Sequence, residues 1–332
     1  MRDLTRSDLI SELGGSQTTL ISCLSFEERS FAVVEALAGN GLREWLCLVN
    51  EDIETDISAV RDRATALADR EGVTLEFLHA SKRDPLRLAD TMIAIAARPS
   101  VADGCRWVAD ITTMTHEMVL ILVAAADEII SDWANIKLVY NVAKAYSGDD
   151  EPTDKWVSRG IHEVRSVIGY PGGWSPGEQT TVVALPGFDP ERMRRIVEEI
   201  EPDQLIVGIA CPVGAHHSWS EDKNRQIAQQ LLSTHKGAAF EYPALDPIGA
   251  VQALLDATRA IRNNVLLVPL NSKISTAAIG ALARQKPEWQ VCYAPALVYN
   301  LSYATASNCF LACSLTEIRQ SVSAALAAAG GA

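Results

Sequence analysis

The chain has 332 residues, 48% hydrophobic and 21% charged, enough to bury a large core in about two domains of ordinary size. Lys and Arg total 29 against 42 Asp and Glu, a formal net charge of −13. That balance argues against direct DNA binding, because a non-specific nucleic-acid face is basic, and leaves room for one local basic pocket that takes a small anion.

The opening MRDLTRSDLISELGG lacks the apolar core of a signal peptide and no apolar run reaches membrane-spanning length, so a cytoplasmic protein without a membrane partner is expected. The seven cysteines, Cys23, Cys47, Cys105, Cys211, Cys292, Cys309 and Cys313, lie mostly within apolar runs and form no CxxC pair. They read as buried thiols, with no metal site and no cofactor expected.

In chain order, short runs rich in Val, Ile and Leu predict strands at 20–24, 45–50, 73–78, 106–111 and 136–141. Amphipathic stretches between them predict helices over roughly 28–39, 56–71, 86–98 and 115–130. SGDDEPTDKW and GYPGGWSPGE then mark a turn-rich boundary. Strands resume near 181–185, 204–210, 237–242, 264–270 and 289–294, and Ser314 with Glu317 spells a capping box for a last helix.

Several segments read twice in the same order, at offsets of roughly 150 to 160 residues. TTLISCLSFEERSFAVVEAL resembles TTVVALPGFDPERMRRIVEEI, placing Phe26 on Phe188, Glu27 on Asp189 and, across one inserted residue, Arg29 on Arg192. Asp84-Pro85 falls on Asp246-Pro247, WVADITTMTHEM on LVPLNSKISTAA, and the Tyr140/Tyr146 pair on Tyr293/Tyr299. Alternating strands and helices predict parallel strands with right-handed crossovers. The expected fold is therefore α/β: two tandem Rossmann-like repeats, each a parallel sheet flanked by helices, packed about a pseudo-two-fold axis. The expected boundaries are 1–147 for the first repeat, 148–179 for a linker or insert, and 180–332 for the second repeat with its C-terminal helix.

Ligands of open parallel sheets gather at the carboxyl ends of the strands, where helix starts point backbone N–H groups outward. Neither copy carries a G-x-G-x-x-G or GK[ST] loop, and the acids Glu27, Glu28, Asp189 and Glu191 at the first helix start oppose a phosphate there. Arg29 and Arg192 stand out in that acidic company. Each is either paired to Glu28 or Glu191, bonded across the interface between halves, or aimed at a ligand.

At the fourth strand, Thr112, Thr113 and Thr115 in one copy and Ser272, Lys273, Ser275 and Thr276 in the other crowd a helix start. One cap needs one hydroxyl; several form a nest for phosphate or else serve as multiple caps. His216 and His217 sit after the second copy's second strand, as solvated loop histidines or a general base. Arg194 and Arg195 read as a solvated helix face.

DITTMTHEM resembles the (N/D)-x-T-G-G-T-K-x-M signature of CRISPR-associated Rossmann-fold (CARF) domains, through Asp110, Thr112, Thr115 and Met118. Thr113 and Met114 replace its glycines and His116 its lysine, while NSKISTAA keeps only Asn271 and a hydroxyl residue. The resemblance implies tandem domains of bacterial anti-phage defence and a cyclic oligonucleotide ligand at this corner. On this reading the chain is a nucleotide-type ligand sensor or regulatory subunit, with an anionic ligand in the crevice between repeats. The contacts are Thr112, Thr113, Thr115, Ser272, Lys273, Ser275 and Arg192, and output passes to a protein partner or through homo-oligomerisation. The alternatives are a nucleotide-cleaving effector, of ring-nuclease or glycosidase type, with His116, Glu117, Asp110 or Arg29 in catalytic roles, and a structural adaptor.

Overall fold

The computed structural model describes residues 3–14, 17–50, 57–98, 106–129, 136–146, 157–212, 220–301 and 304–330. The N-terminal part contains β1 (Asp3–Leu4), α1 (Arg6–Leu13), β2 (Thr18–Leu24), α2 (Ala32–Leu37), β3 (Leu42–Asn50), α3 (Ser58–Glu71) and β4 (Thr74–Ala80). It continues with α4 (Pro85–Ala96), β5 (Arg106–Asp110), α5 (His116–Ile129), β6 (Ile136–Asn141), β7 (Ala145–Tyr146), β8 (Ser158–Ile161) and β9 (Arg165–Pro171). Next come β10 (Thr180–Leu185), α6 (Pro190–Ile200), β11 (Gln204–Cys211), α7 (Ser220–Leu232), β12 (Gly237–Pro243), α8 (Pro247–Thr258) and β13 (Asn264–Pro269). The remaining elements are α9 (Lys273–Gln285), β14 (Gln290–Tyr293), β15 (Ala296–Tyr299), β16 (Ala304–Thr305), β17 (Phe310–Ser314) and α10 (Leu315–Gly330).

These elements form two compact units. The first, residues 1–150 with 301–317, holds a seven-stranded sheet in the order β4-β3-β2-β5-β6-β17-β1. β2, β3, β4, β5 and β6 pair in parallel, as the alternation of strand and helix predicts, and β17 runs antiparallel beside β6. Every residue of the central β2 is buried, which is why its sequence is a continuous apolar and threonine run instead of an alternating one. Trp45 anchors the core, donating from Nε1 to Ser22 Oγ at 2.7 Å and meeting the edge of Phe31 at 6.3 Å between ring centroids.

The second unit, residues 151–300 with 318–332, holds a six-stranded sheet in the order β12-β11-β10-β13-β14-β9. Its first five strands are parallel and β9 is antiparallel to β14. Taken from β4 and from β12, the two sheets share strand order and direction through six positions. The helix after the third strand also starts alike in both. Asp84 and Asp246 cap α4 and α8, accepting from Arg87 N at 3.0 Å and Ile248 N at 3.1 Å, and a proline follows at the first helical position.

The edges depart from the expected boundaries. Residues 148–179, expected as a linker or insert, carry β8 and β9, and β9 closes the second sheet. Residues 310–314, expected to end the second repeat, form β17 in the first sheet. Each sheet thus takes the antiparallel strand beside its fifth parallel strand from the chain segment that follows the other set of parallel strands. β9 escaped the sequence reading because its buried Val167 and Tyr170 are separated by Gly169, which adopts φ 92°, so a short strand resembles a turn. The predicted helix 28–39 begins as a 3-10 turn, Glu28–Phe31, before α2. Glu317 Oε2 accepts from Ser314 N at 3.1 Å as a capping box predicts, but Ser314 Oγ accepts from Thr316 N.

Candidate functional site

In each sheet the strand order reverses at the first central strand, between β2 and β5 and between β10 and β13. The loops leaving these strands meet at the carboxyl edge, where α/β proteins collect ligands.

The first corner is a buried polar cluster. Arg29, 2% exposed, directs Nε (3.0 Å) and Nη2 (2.7 Å) to Glu27 Oε2 and Nη1 (3.2 Å) to the Asn141 carbonyl that ends β6. Its guanidinium carbon lies 6.0 Å from the Tyr146 ring centroid, and the Tyr146 and Tyr140 hydroxyls are 3.3 Å apart. Glu28, a partner anticipated from the sequence, instead lies 4.0 Å from Arg63. A carboxylate two residues back on the same turn reaches the fork and a solvated neighbour does not.

Asp110 ends β5 in the same cluster. Its Oδ1 accepts from Thr112 N at 3.0 Å and Thr112 Oγ1 at 2.5 Å, and Thr112 Oγ1 accepts from Asn141 N at 2.9 Å. Asp110 Oδ2 and Asn141 Oδ1 are buried and accept no hydrogen bond among the described residues. Burial pushes the Asp110 carboxyl up to about 7 against the pull of the Thr112 bonds and the Arg29 charge. Thr113 donates to the Cys23 carbonyl of β2 at 2.6 Å, and Thr115 Oγ1 caps α5 by accepting from Met118 N at 3.1 Å. His116 and Glu117 are buried in the first turn of α5.

The second corner is built on α6 and α9. Asp189 caps α6: Oδ1 accepts from Arg192 N at 3.1 Å and Oδ2 from the Ser158 hydroxyl. Arg192 turns Nε (2.8 Å) and Nη2 to the Ala294 carbonyl just past β14, with its guanidinium carbon 4.9 Å from the Tyr293 ring centroid. Glu191, the partner anticipated for it, lies 3.7 Å from Arg195. Asn271 donates to the Pro186 carbonyl at 2.9 Å, as Thr113 does to Cys23 in the first unit. Gly187 lets these loops close up, since a Cβ there would lie 2.3 Å from the Leu270 carbonyl oxygen.

Ser272 Oγ caps α9 by accepting from Ser275 N at 3.0 Å and donates to the Ala244 carbonyl. Ser275 and Thr276 hydroxyls both return to the Ser272 carbonyl, at 3.0 and 2.9 Å. The hydroxyl clusters therefore wire the helix starts in place, with Thr113, Thr115, Ser272 and Lys273 left partly exposed while Thr112 and Ser275 are buried.

Within the second unit, Arg192 and the Ser272–Ser275 group occupy the same sheet edge, as Arg29, Asp110, Thr112 and Thr113 do within the first. The sequence reading missed Asn141, Ser158 and the role of Glu27. Only Glu27, aligned with Asp189, carried a signal. His216 and His217 lie outside the described residues. An open groove of about 460 Å³ beside α6, lined by Ile161, His162, Arg194, Arg195, Glu198 and Glu199, is internally balanced, with Arg194 2.6 Å from Glu198. No group of three or more potential metal ligands occurs, and no helix is long and apolar enough to cross a membrane, among the described residues.

Neither a protein-family model nor a curated protein matches the chain. Among solved structures, the cytoplasmic domain of a prokaryotic cation chloride cotransporter aligns over 85% of this chain and 96% of its own, at 8% identity and a TM-score of 0.27. A likeness that weak carries no argument about function.

Proposed function

We propose that the chain is a tandem duplication of a Rossmann-like unit, similar to CARF proteins, that senses an anionic nucleotide-like ligand at the carboxyl edges of its sheets. In this reading it is a cytoplasmic sensor or regulatory subunit of bacterial anti-phage defence that passes its output to a protein partner or to another copy of itself.

The observation that carries the reading is the repeated pairing, at the same edge of both sheets, of a buried arginine on the first helix start with a hydroxyl-rich fourth helix start. Buried guanidinium groups are costly to retain for folding alone, and they bind phosphate through charge-assisted bonds. Thr113, Thr115, Ser272 and Lys273 supply the partly exposed donors beside them.

A thermal-shift series with linear and cyclic oligonucleotides, NAD and ATP tests the reading, on wild type and on a Thr113→Ala/Lys273→Ala double variant. A ligand present at one hundred times its dissociation constant adds about 2.7 kcal/mol of stability. The expected result is a compound that raises the melting temperature of wild type and not of the variant. No shift with any compound sinks the reading.

A second reading, a nucleotide-cleaving effector, draws support from Asp110, whose carboxyl at about 7 is suited to exchanging a proton near neutral pH. Recovery of the stabilising compound intact after incubation excludes it.

A further inference from the structure

Four strands end the two main sheets, and three of them are blunted. β1 is two residues long, and β9 shifts register against β14. β4 carries the Arg98–Glu76 ion pair at 2.8 Å and has the Arg61 guanidinium 4.8 Å from its Phe77 ring centroid. Short, irregular and charged edges are the devices that keep sheets from pairing edge to edge. β12 uses none of them. It pairs with β11 in unbroken register from Gly237 to Pro243, and Gly237, Ala238 and Ala239 are small, uncharged and exposed.

The backbone of β12 decides what fits against it. Lys236 O accepts from Leu205 N at 2.9 Å, so the backbone of Lys236 faces β11. Backbone groups alternate sides along a strand, which turns the N–H and C=O of Gly237, Ala239 and Glu241 to the open edge. All three residues are exposed. Only another extended strand answers that row of donors and acceptors, and β12 answers it itself. In an antiparallel pair of copies Ala239 meets its own counterpart, and Gly237 meets Glu241 on either side, each pair exchanging both hydrogen bonds. The charges agree with that direction. Arg225 is shared by Glu221 at 2.8 Å and Glu241 at 2.7 Å, which leaves the Glu241 end net negative, while the exposed Lys236 stands at the other end. Antiparallel pairing lays each end beside its opposite.

We propose that β12 is a self-association edge, through which two copies of the chain pair antiparallel about a two-fold axis at Ala239 and join their six-stranded sheets into one. The inference goes beyond ligand sensing and holds whether or not a nucleotide binds. Glycine and alanine bring little apolar area to the contact, so the association is weak. Dilute protein runs as a single chain of 35.9 kDa and doubles its mass only at high concentration.

Sedimentation velocity of the full chain, from dilute to near-millimolar, tests the pairing. The expected result is a wild-type mass that rises toward twice 35.9 kDa, while Ala239→Lys and Ala239→Glu, which set like charges across the axis, each stay single. An equimolar mixture of the two variants associates again, because opposite charges then face each other. Misfolding cannot imitate that rescue. Ala239→Pro removes only an outward N–H, keeps the β11 ladder and abolishes association. Wild type that stays single at every concentration, association that survives any of these single variants, or a mixture that stays single overturns the edge pairing. The thermal-shift series reads ligand sensing separately, so either idea can fail alone.

Discussion

Cutting the chain between β9 and β10 leaves it assembled. A protease site inserted at the exposed Trp174 and cleaved in the folded protein yields two fragments on a denaturing gel and one particle of 35.9 kDa in native gel filtration. The N-terminal fragment carries β9, which pairs with β14 of the other fragment, and the C-terminal fragment carries β17, which lies between β6 and β1. β7–β16 and β8–β15 pair across the same cut.

Separation exposes Val167, Tyr170, Phe310, Leu311 and Cys313, all buried in the intact chain. At about 2 kcal/mol for each large apolar side chain, that loss is on the order of 10 kcal/mol before the broken ladder hydrogen bonds are counted. Two half-size species in native gel filtration contradict the strand exchange.

Replacing Asp110 by asparagine stabilises the protein at pH 8 and leaves it nearly unchanged at pH 4. The folded carboxyl titrates at about 7, and its unfolded value is near 3.8. Between those values the folded state holds a proton that the unfolded state has released, so rising pH favours unfolding. The contribution of a protonated Asp110 is complete below about 3.8, falls by about 1.4 kcal/mol per pH unit through this window, and is gone above about 7. The ceiling on the loss is about 4 kcal/mol.

Asparagine keeps the Oδ1 acceptor for Thr112 and cannot ionise. Its amide places two N–H donors where the protonated acid has one O–H, a cost that is the same at every pH and so lowers the whole curve of the variant without changing its slope. Denaturant melts of both proteins from pH 4 to pH 8 therefore diverge, with the variant ahead by a few kcal/mol at the alkaline end. Parallel stability curves show that Asp110 does not titrate in this window.

The parallel core was legible because strands covered on both faces leave continuous apolar runs. The runs read at 20–24 and 181–185 are the interiors of β2 and β10, and Asp84-Pro85 and Asp246-Pro247 announced the starts of α4 and α8. The exchange of β9 and β17 was not legible. A short antiparallel strand carries no local mark of which sheet it joins, and Arg165–Pro171 runs directly into the glycine- and proline-rich stretch GYPGGWSPGE.

At the site, the oddity of Arg29 and Arg192 was visible in sequence, and both reach the carbonyl that follows the tyrosine of the fifth strand. Their partners were not. One inserted proline decides whether the aligned acid faces the guanidinium or caps the helix, a consequence of backbone geometry that residue spacing does not encode. The hydroxyls read as a phosphate nest spend most of their bonds on neighbouring backbone, because helix starts need those acceptors first.

The most direct test of ligand sensing at the sheet edges is hydrogen exchange of the full chain, with and without the nucleotide that stabilises it. The account predicts slowed exchange confined to residues 186–193 and 271–277, with a smaller effect at 110–118. Protection elsewhere, or none at these segments while the nucleotide is bound, contradicts it.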